Sequence, residues 1–299
     1  MDRRHFARGA LALAGAWPVA RALGGDTAQK IWGEPAADHW RAIEGSVGGR
    51  LGVAVLDGAT GELAGHRLDE RFPMCSTFKS VAAAALLARV DAGRERLDRR
   101  VAVHRADLLE WAPVSRGHVG GAMTLGQLCE AAITVSDNTA ANLLLDALGG
   151  PSAVTEFVRQ RGDAVTRLDR TEPTLNEGTP GDPRDTSTPR AMAHTLQALM
   201  LGDALAPASR AQLVRWMTAS STGARRLRAG LPADWRVADK TGTGDRGTTN
   251  DVGVLWPPHG APRVVVAYLT DCGAAAAARE AALADVARAV AGPGWRRAS

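Results

Sequence analysis

The sequence predicts a mixed α/β (α+β) fold in which both chain ends build one sheet and an all-helical segment is inserted between them. Two observations carry this. Short apolar runs with strand character occur near the start, at Leu51 to Leu56, and again late, at Trp235 to Thr243, Asn250 to Trp256 and Arg263 to Thr270. Between them the chain turns Ala- and Leu-rich and carries helix start and stop signals. The 299 residues are 45% hydrophobic and 23% charged, enough to bury a sizeable core. The division this suggests is a mixed α/β domain from residues 23–74 and 218–299, and an all-helical domain from residues 75–217.

In chain order, the first 22 residues read as an export signal. Arg3-Arg4 stands beside Phe6, an apolar run from Gly9 to Trp17 follows, and Ala20-Arg21-Ala22 supplies a small-residue cleavage pattern with a twin-arginine flavour. The run is too short to span a bilayer. Its removal takes away four arginines and one aspartate, which brings the formal charge from +4 to +1. A mature chain so near neutral, with no Lys/Arg run, gives no footing for nucleic-acid binding. The expected protein is periplasmic or secreted, monomeric, and without a stable membrane anchor once the signal is gone.

After Leu56, Asp57-Gly58 and Thr60-Gly61 signal a turn and a hairpin whose second strand reaches about His66. Thr77 to Val90 reads as a helix, with Gly93 just beyond its end. Thr124 and Gln127 are spaced as a capping box before a helix reaching about Val135. A further helix runs from Thr139 to Leu148 and stops at Gly149-Gly150, and Pro151 opens the next. Residues 169–187 are rich in Pro and Gly, and a loop of that length in a compact domain is usually functional. Thr188-Pro189 starts a helix to about Leu201, Ser209 and Gln212 repeat the capping-box spacing, and a helix from about Ala274 to Val290 closes the chain.

Four short motifs carry chemistry. Ser76-Thr77-Phe78-Lys79 lies where loop becomes helix, so Ser76 and Lys79 share a helix face; a lysine beside a serine can help take its proton. Ser136-Asp137-Asn138 lies between two helices and offers a relay hydroxyl and a substrate-binding amide, although alone it reads as a capping turn. Lys240-Thr241-Gly242 ends a strand; the lysine and hydroxyl suit a carboxylate, and the glycine lets a ligand approach the strand edge. In the long loop, Glu172 is placed to activate a water with Asn176 orienting it, and Arg170 and Asp185 can pair across the loop's ends. Gly242 to Gly247 also fits GxGxxG by letter, but a strand rather than a helix follows, which argues against a dinucleotide site. The seven histidines form no ligand cluster, so neither a catalytic metal nor any cofactor is expected. Cys75, Cys129 and Cys272 show no zinc or CxxC spacing, and an odd count leaves at least one thiol over.

Together and in this order, these motifs resemble those of class A serine β-lactamases, whose Ser-x-x-Lys, Ser-Asp-Asn and Lys-Thr-Gly set is well known. Arg167 to Asn176 and Arg184-Asp185-Thr186 match the family's Ω-loop, and the likeness covers nearly all of the mature chain. The resemblance implies a five-stranded antiparallel sheet flanked by helices, small-molecule β-lactam substrates, and a set of roles. Ser76 is then the nucleophile, Lys79 joins in proton transfer, Ser136 protonates the leaving nitrogen, and Glu172 drives deacylation. Whether the lysine or the glutamate is the acylation base stays open. Asn138 binds the substrate's side-chain amide; Lys240, Thr241 and Thr243 line the carboxylate site; Arg226 supports it; Trp111 stands at the mouth of the cleft. The backbone N–H groups of Ser76 and Thr243 make the oxyanion hole. Two disulfides found in family members have no counterpart here, because Ala83 and Gly244 stand where the partners of Cys129 and Cys75 would be. A penicillin-binding D,D-peptidase shares three motifs and a non-catalytic β-lactam sensor holds its acyl group; Glu172 and Asn176 argue against the former, and the lack of a membrane segment after Ala22 against the latter.

Overall fold

The computed structural model describes residues 33–292, so the expected export signal lies outside the described residues. Five strands form one antiparallel sheet: β1 (Arg50–Asp57), β2 (Leu63–His66), β7 (Arg236–Thr243), β8 (Thr249–Trp256) and β9 (Arg263–Thr270), in the order β2-β1-β9-β8-β7. β1 pairs with β9 along its whole length, from Arg50 opposite Thr270 to Asp57 opposite Arg263. The chain's two ends therefore meet in the middle of the sheet, and β7 is left as an edge.

Both faces of the sheet are covered, which is why β9 is apolar from Val264 to Leu269 on alternate and intervening positions alike. On one face lie α1 (Gly33–Val47) and α8 (Ala276–Ala291), where Trp40, Ile43, Leu283 and Val286 pack on Leu51, Val53, Val265 and Leu269. The sequence reading contains no helix at residues 33–47, although Trp40 and Ile43, three apart and both buried, are one face of it. On the other face lie α2 (Phe78–Asp91), α3 (Leu125–Thr134), α4 (Asn138–Leu148), α5 (Pro151–Arg159), α6 (Pro189–Met200) and α7 (Pro207–Thr218). Their Leu, Ala and Met side chains form a second apolar layer continuous with Ala54, Leu56, Val252 and Val266 of the sheet. α2 is buried nearly all round, hence its run of small residues from Ala82 to Ala85.

The helix ends follow local chemistry. Thr124 and Gln127 make both bonds of a capping box, Asp137 caps α4 through Ala140 N–H, Gly149 turns left-handed after it at φ 92°, and Thr188 caps α6. The spacing of Ser209 and Gln212 does not work this way. α7 begins two residues earlier, and Asp91 at the end of α2 takes both the Ala206 N–H (2.8 Å) and the Ser209 hydroxyl (2.5 Å). A carboxylate from another helix has replaced the local cap.

Two short ladders complete the frame. β3 (Phe72–Pro73) pairs with β6 (Thr186–Ser187), joining the approach to Ser76 to the end of the long loop, and β4 (Arg100–Ala102) pairs with β5 (Ala122–Thr124). Among the described residues no helix is long and apolar enough to cross a membrane.

Candidate active site

Three elements bring the motif residues together: the turn into α2, the turn into α4, and the edge strand β7. Cys75–Thr77 form a 3-10 turn that runs directly into α2, with Cys75 at a positive φ of 45°. This places Ser76 at the entrance and Lys79 in the first turn of the helix. The two do not meet alone, as i,i+3 spacing suggests, but through a third group. Ser76 Oγ donates to Glu172 Oε1 at 3.0 Å, and Lys79 Nζ lies 3.0 Å from the same oxygen.

Lys79 is wholly buried, and its ammonium also donates to Ser136 O (3.0 Å), Ser136 Oγ (3.3 Å) and Asn138 Oδ1 (2.6 Å). Burial pushes its pKa down, opposed by the charge of Glu172. Lys240, on β7, approaches from the other side and donates to Ser136 Oγ at 3.0 Å and to Thr241 O at 2.8 Å. The Ser136 hydroxyl thus sits between two lysines. Lys240 is pushed well below its usual range by burial and by the positive charges of Lys79 and Arg226. Ser136 adopts φ 58°, a conformation rare for serine, which turns it inward between the helices. Asp137 faces away from the site: it accepts from the amides of Val114 and Ser115 and the Ser115 hydroxyl, besides capping α4. The capping reading of that residue is correct, while its neighbours face Lys79.

Glu172 is held from both ends. Asn176 Nδ2 donates to its Oε2 at 2.5 Å, and Asn142 clasps its backbone, accepting from Glu172 N–H and donating to Glu172 O, both at 2.9 Å. Asn142 escaped the sequence reading; its one signal is that it lies four residues after Asn138 on the same face of α4. The loop that carries Glu172 is tied by Asp185, whose buried carboxylate accepts from the amides of Asp169 and Arg170 and from Arg170 Nε at 2.6 Å. The expected pairing of Arg170 with Asp185 is present.

Thr241 accepts from or donates to Thr222 at 2.6 Å, and Thr243, more exposed, ends β7. Arg226 is only 7% exposed and stands behind the strand: its Nη1 donates to Gly242 O (2.8 Å) and Asn250 O (2.7 Å), and its Nη2 to Thr243 Oγ1 (2.7 Å). Its reach toward a ligand therefore runs through the Thr243 hydroxyl. Gly242 and Gly244 are glycines for lack of space. A Cβ on Gly242 would sit 2.7 Å from Met74 O, and one on Gly244 2.6 Å from both Asn176 O and Cys75 Sγ. The Gly-rich stretch from Gly242 is thus a close-packed strand end leading into β8, not a phosphate cradle. Trp111 is 56% exposed, its ring lying at the surface with Nε1 donating to Val135 O, next to the turn that carries Ser136. Cys75, Cys129 and Cys272 are all buried and free. Among the described residues no group of His, Cys, Asp or Glu could hold a metal ion.

A buried serine hydrogen-bonded to a carboxylate, with two lysines and a second serine around it, defines the site of a serine hydrolase. The chain belongs to the beta-lactamase enzyme family, in its class A branch: the family's model matches residues 35–292. Beta-lactamase CTX-M-97 of Escherichia coli is 52% identical over 249 residues, which cover 83% of this chain and 86% of the relative. Beta-lactamase L2 of Stenotrophomonas maltophilia is 50% identical over 288 residues, 95% of each. The solved structure of an ancestral (GNCA) beta-lactamase class A is 64% identical and superposes with a TM-score of 0.84, covering 85% of this chain and 98% of the other.

Proposed function

We propose that the protein opens β-lactam rings through an acyl-enzyme on Ser76 and so confers β-lactam resistance. The observation that carries this is the shared oxygen: Ser76 Oγ and Lys79 Nζ both reach Glu172 Oε1 at 3.0 Å. Ser76 Oγ attacks the ring carbonyl and its proton passes to Glu172, while the Lys79 ammonium on the same oxygen can give a proton toward Ser136 and regain one from Glu172. The ring C–N bond breaks, and the nitrogen takes the Ser136 hydroxyl proton, which is replaced from Lys79 or Lys240. The amides of Ser76 and Thr243 hold the oxyanion. In the second half Glu172, steadied by Asn176, takes a proton from water as that water attacks the ester, and Ser76 Oγ recovers its proton. Lys240, Thr241 and Thr243 receive the substrate carboxylate beside Gly242, Arg226 steadies Thr243, Asn138 meets the side-chain amide, and Trp111 borders the entrance. Steady-state hydrolysis of a penicillin, an oxyimino-cephalosporin and a carbapenem tests the reading. Hydrolysis of none of the three, or hydrolysis undiminished in Ser76→Ala, overturns it.

Lys240 gives the reaction an alkaline limit. Its lowered pKa means the ammonium is lost below the ordinary lysine value of about 10.4. Losing it removes the charge that meets the substrate carboxylate, so kcat/KM falls as pH rises through that window. Stability responds with the opposite sign: the unfolded lysine still binds a proton where the folded one has lost it, so this residue's contribution to stability rises with pH there. Paired pH profiles of kcat/KM and of denaturant midpoint check both signs. An alkaline limb no lower than that of an ordinary lysine counts against the assignment.

We further infer that residues 1–22 are an export signal, that the mature enzyme is periplasmic or secreted, and that it acts as a monomer. The Arg3-Arg4 pair, apolar run and Ala20-Arg21-Ala22 pattern support the first, and a site built from one chain the last. N-terminal sequencing of exported protein is expected to start near Leu23; cytosolic protein with Met1 intact would contradict it. The division into a mixed domain, residues 23–74 and 218–299, and a helical one, residues 75–217, is supported by the sheet, all of whose five strands fall in the first set.

A further inference from the structure

The two amides of the oxyanion site stand on separate elements, Ser76 on the turn into α2 and Thr243 at the end of β7. Their spacing must hold to a fraction of an ångström for catalysis. Gly242 packs directly on the turn, but packing alone sets a minimum distance and not a maximum. One side chain supplies the tie. Asn250, on β8 opposite Gly242, is fully buried, and its Nδ2 donates to Pro73 O at 2.8 Å and to Met74 O at 3.2 Å. Those carbonyls belong to the two residues just before Cys75-Ser76. Its Oδ1 has no hydrogen-bond partner among the described residues, so the carboxamide is held there by its donors, and turning it over would set an oxygen against two carbonyls. Its backbone carbonyl in turn accepts from Arg226 Nη1, the guanidinium that also holds Gly242 O and Thr243 Oγ1.

We infer that Asn250 is a positioning residue that fixes the Ser76 turn against β7 and so sets the geometry of the oxyanion site. The inference rests on the acyl-enzyme reading above. The chain of bonds runs from the Pro73 and Met74 carbonyls through the Asn250 side chain and main chain to Arg226, and from there to Thr243. Each half of the site is tied to one residue that touches no substrate. Without the Asn250 donors the two carbonyls lose their tie to β8, and the turn is free to shift relative to Thr243.

The test uses Asn250→Ala and Asn250→Ser, the second keeping one polar donor at smaller volume in case the first fails to fold. Phenylboronic acid is the probe, because it bonds to the serine and places an oxygen where the oxyanion forms. In folded variants, kcat and phenylboronic acid affinity are expected to fall together by about 10- to 100-fold, with KM for a penicillin little changed, since Lys240 and Thr241 are untouched. A residue that only holds the fold together would lower Tm and leave both quantities within about twofold of wild type per folded molecule; that result overturns the inference. Ser76→Ala is run alongside. Its loss of activity upholds the underlying reading whatever Asn250 does, whereas retained activity overturns that reading and this inference with it.

Discussion

Glu172→Ala is expected to leave a stable adduct on Ser76. The ester formed by Ser76 is chemically quiet unless a base beside it activates water, and Glu172 is the one carboxylate in contact with the Ser76 hydroxyl among the described residues. Because Ser76 also hydrogen-bonds to it directly, acylation slows in the variant; with the Glu172 charge gone, burial lowers the Lys79 pKa further, its free amine accepts the serine proton, and the adduct still forms. Deacylation loses its base outright, a loss on the order of 10²- to 10⁴-fold. Intact mass spectrometry after mixing with a penicillin should show a long-lived adduct in the variant and little in wild type. Persistence of the same adduct in wild type would instead mark a penicillin-binding or sensor protein, and full turnover in the variant would mean another base serves the water.

Asp185→Ala carries the second large effect, and it separates into two parts. Asp185 is buried, takes three hydrogen bonds from Asp169 and Arg170, and holds a φ of 58°. Its own main chain accepts from Met74 N–H, so it ties the loop to the approach to Ser76. Removing it leaves two amides without their acceptor and Arg170 with Glu177 as its remaining carboxylate partner, and costs about 2 kcal/mol in stability. The loop then no longer fixes Glu172, and kcat falls by about 10²-fold at temperatures where the variant is still folded. Thermal denaturation and turnover measured on the same preparation distinguish the two parts. Wild-type turnover with lowered Tm would show that Asn142 and Asn176 suffice to place Glu172.

The helices between α2 and α6 were legible because their ends are written locally: Thr124 with Gln127, Pro151 after two glycines, Thr188 before Pro189. The start of α7 was not, because its cap is Asp91, more than a hundred residues away and on another helix. The site divides the same way. Ser76, Lys79, Ser136, Glu172 and Lys240 stand in short motifs whose residue types announce chemistry. Asn142 and Asn250 act through bonds spanning 30 and 177 residues, and nothing in their flanking sequence marks them. Arg226 was recognised, but its burial behind Thr243 depends on how β7 and β8 lie together, which spacing does not convey. Asp239 and Asp251 were invisible for the same reason. Both lie buried beside Lys240, with Arg228 on the first; burial and the charge of Asp239 push the Asp251 carboxyl up.

The strand order has a consequence for the making of the protein. β1 is synthesised before all the helices from α2 to α7, and its long neighbour β9 after them, ending at Thr270. While the ribosome works through α2 to α8's approach, the apolar run from Leu51 to Leu56 has only the short β2 beside it and presents an open edge. Such an edge pairs readily with other chains. The nascent molecule is therefore at its most vulnerable for most of its synthesis, and any chain ending before Arg263 lacks the strand that closes the centre of the sheet. The centre of the sheet closes only once β9 has been made.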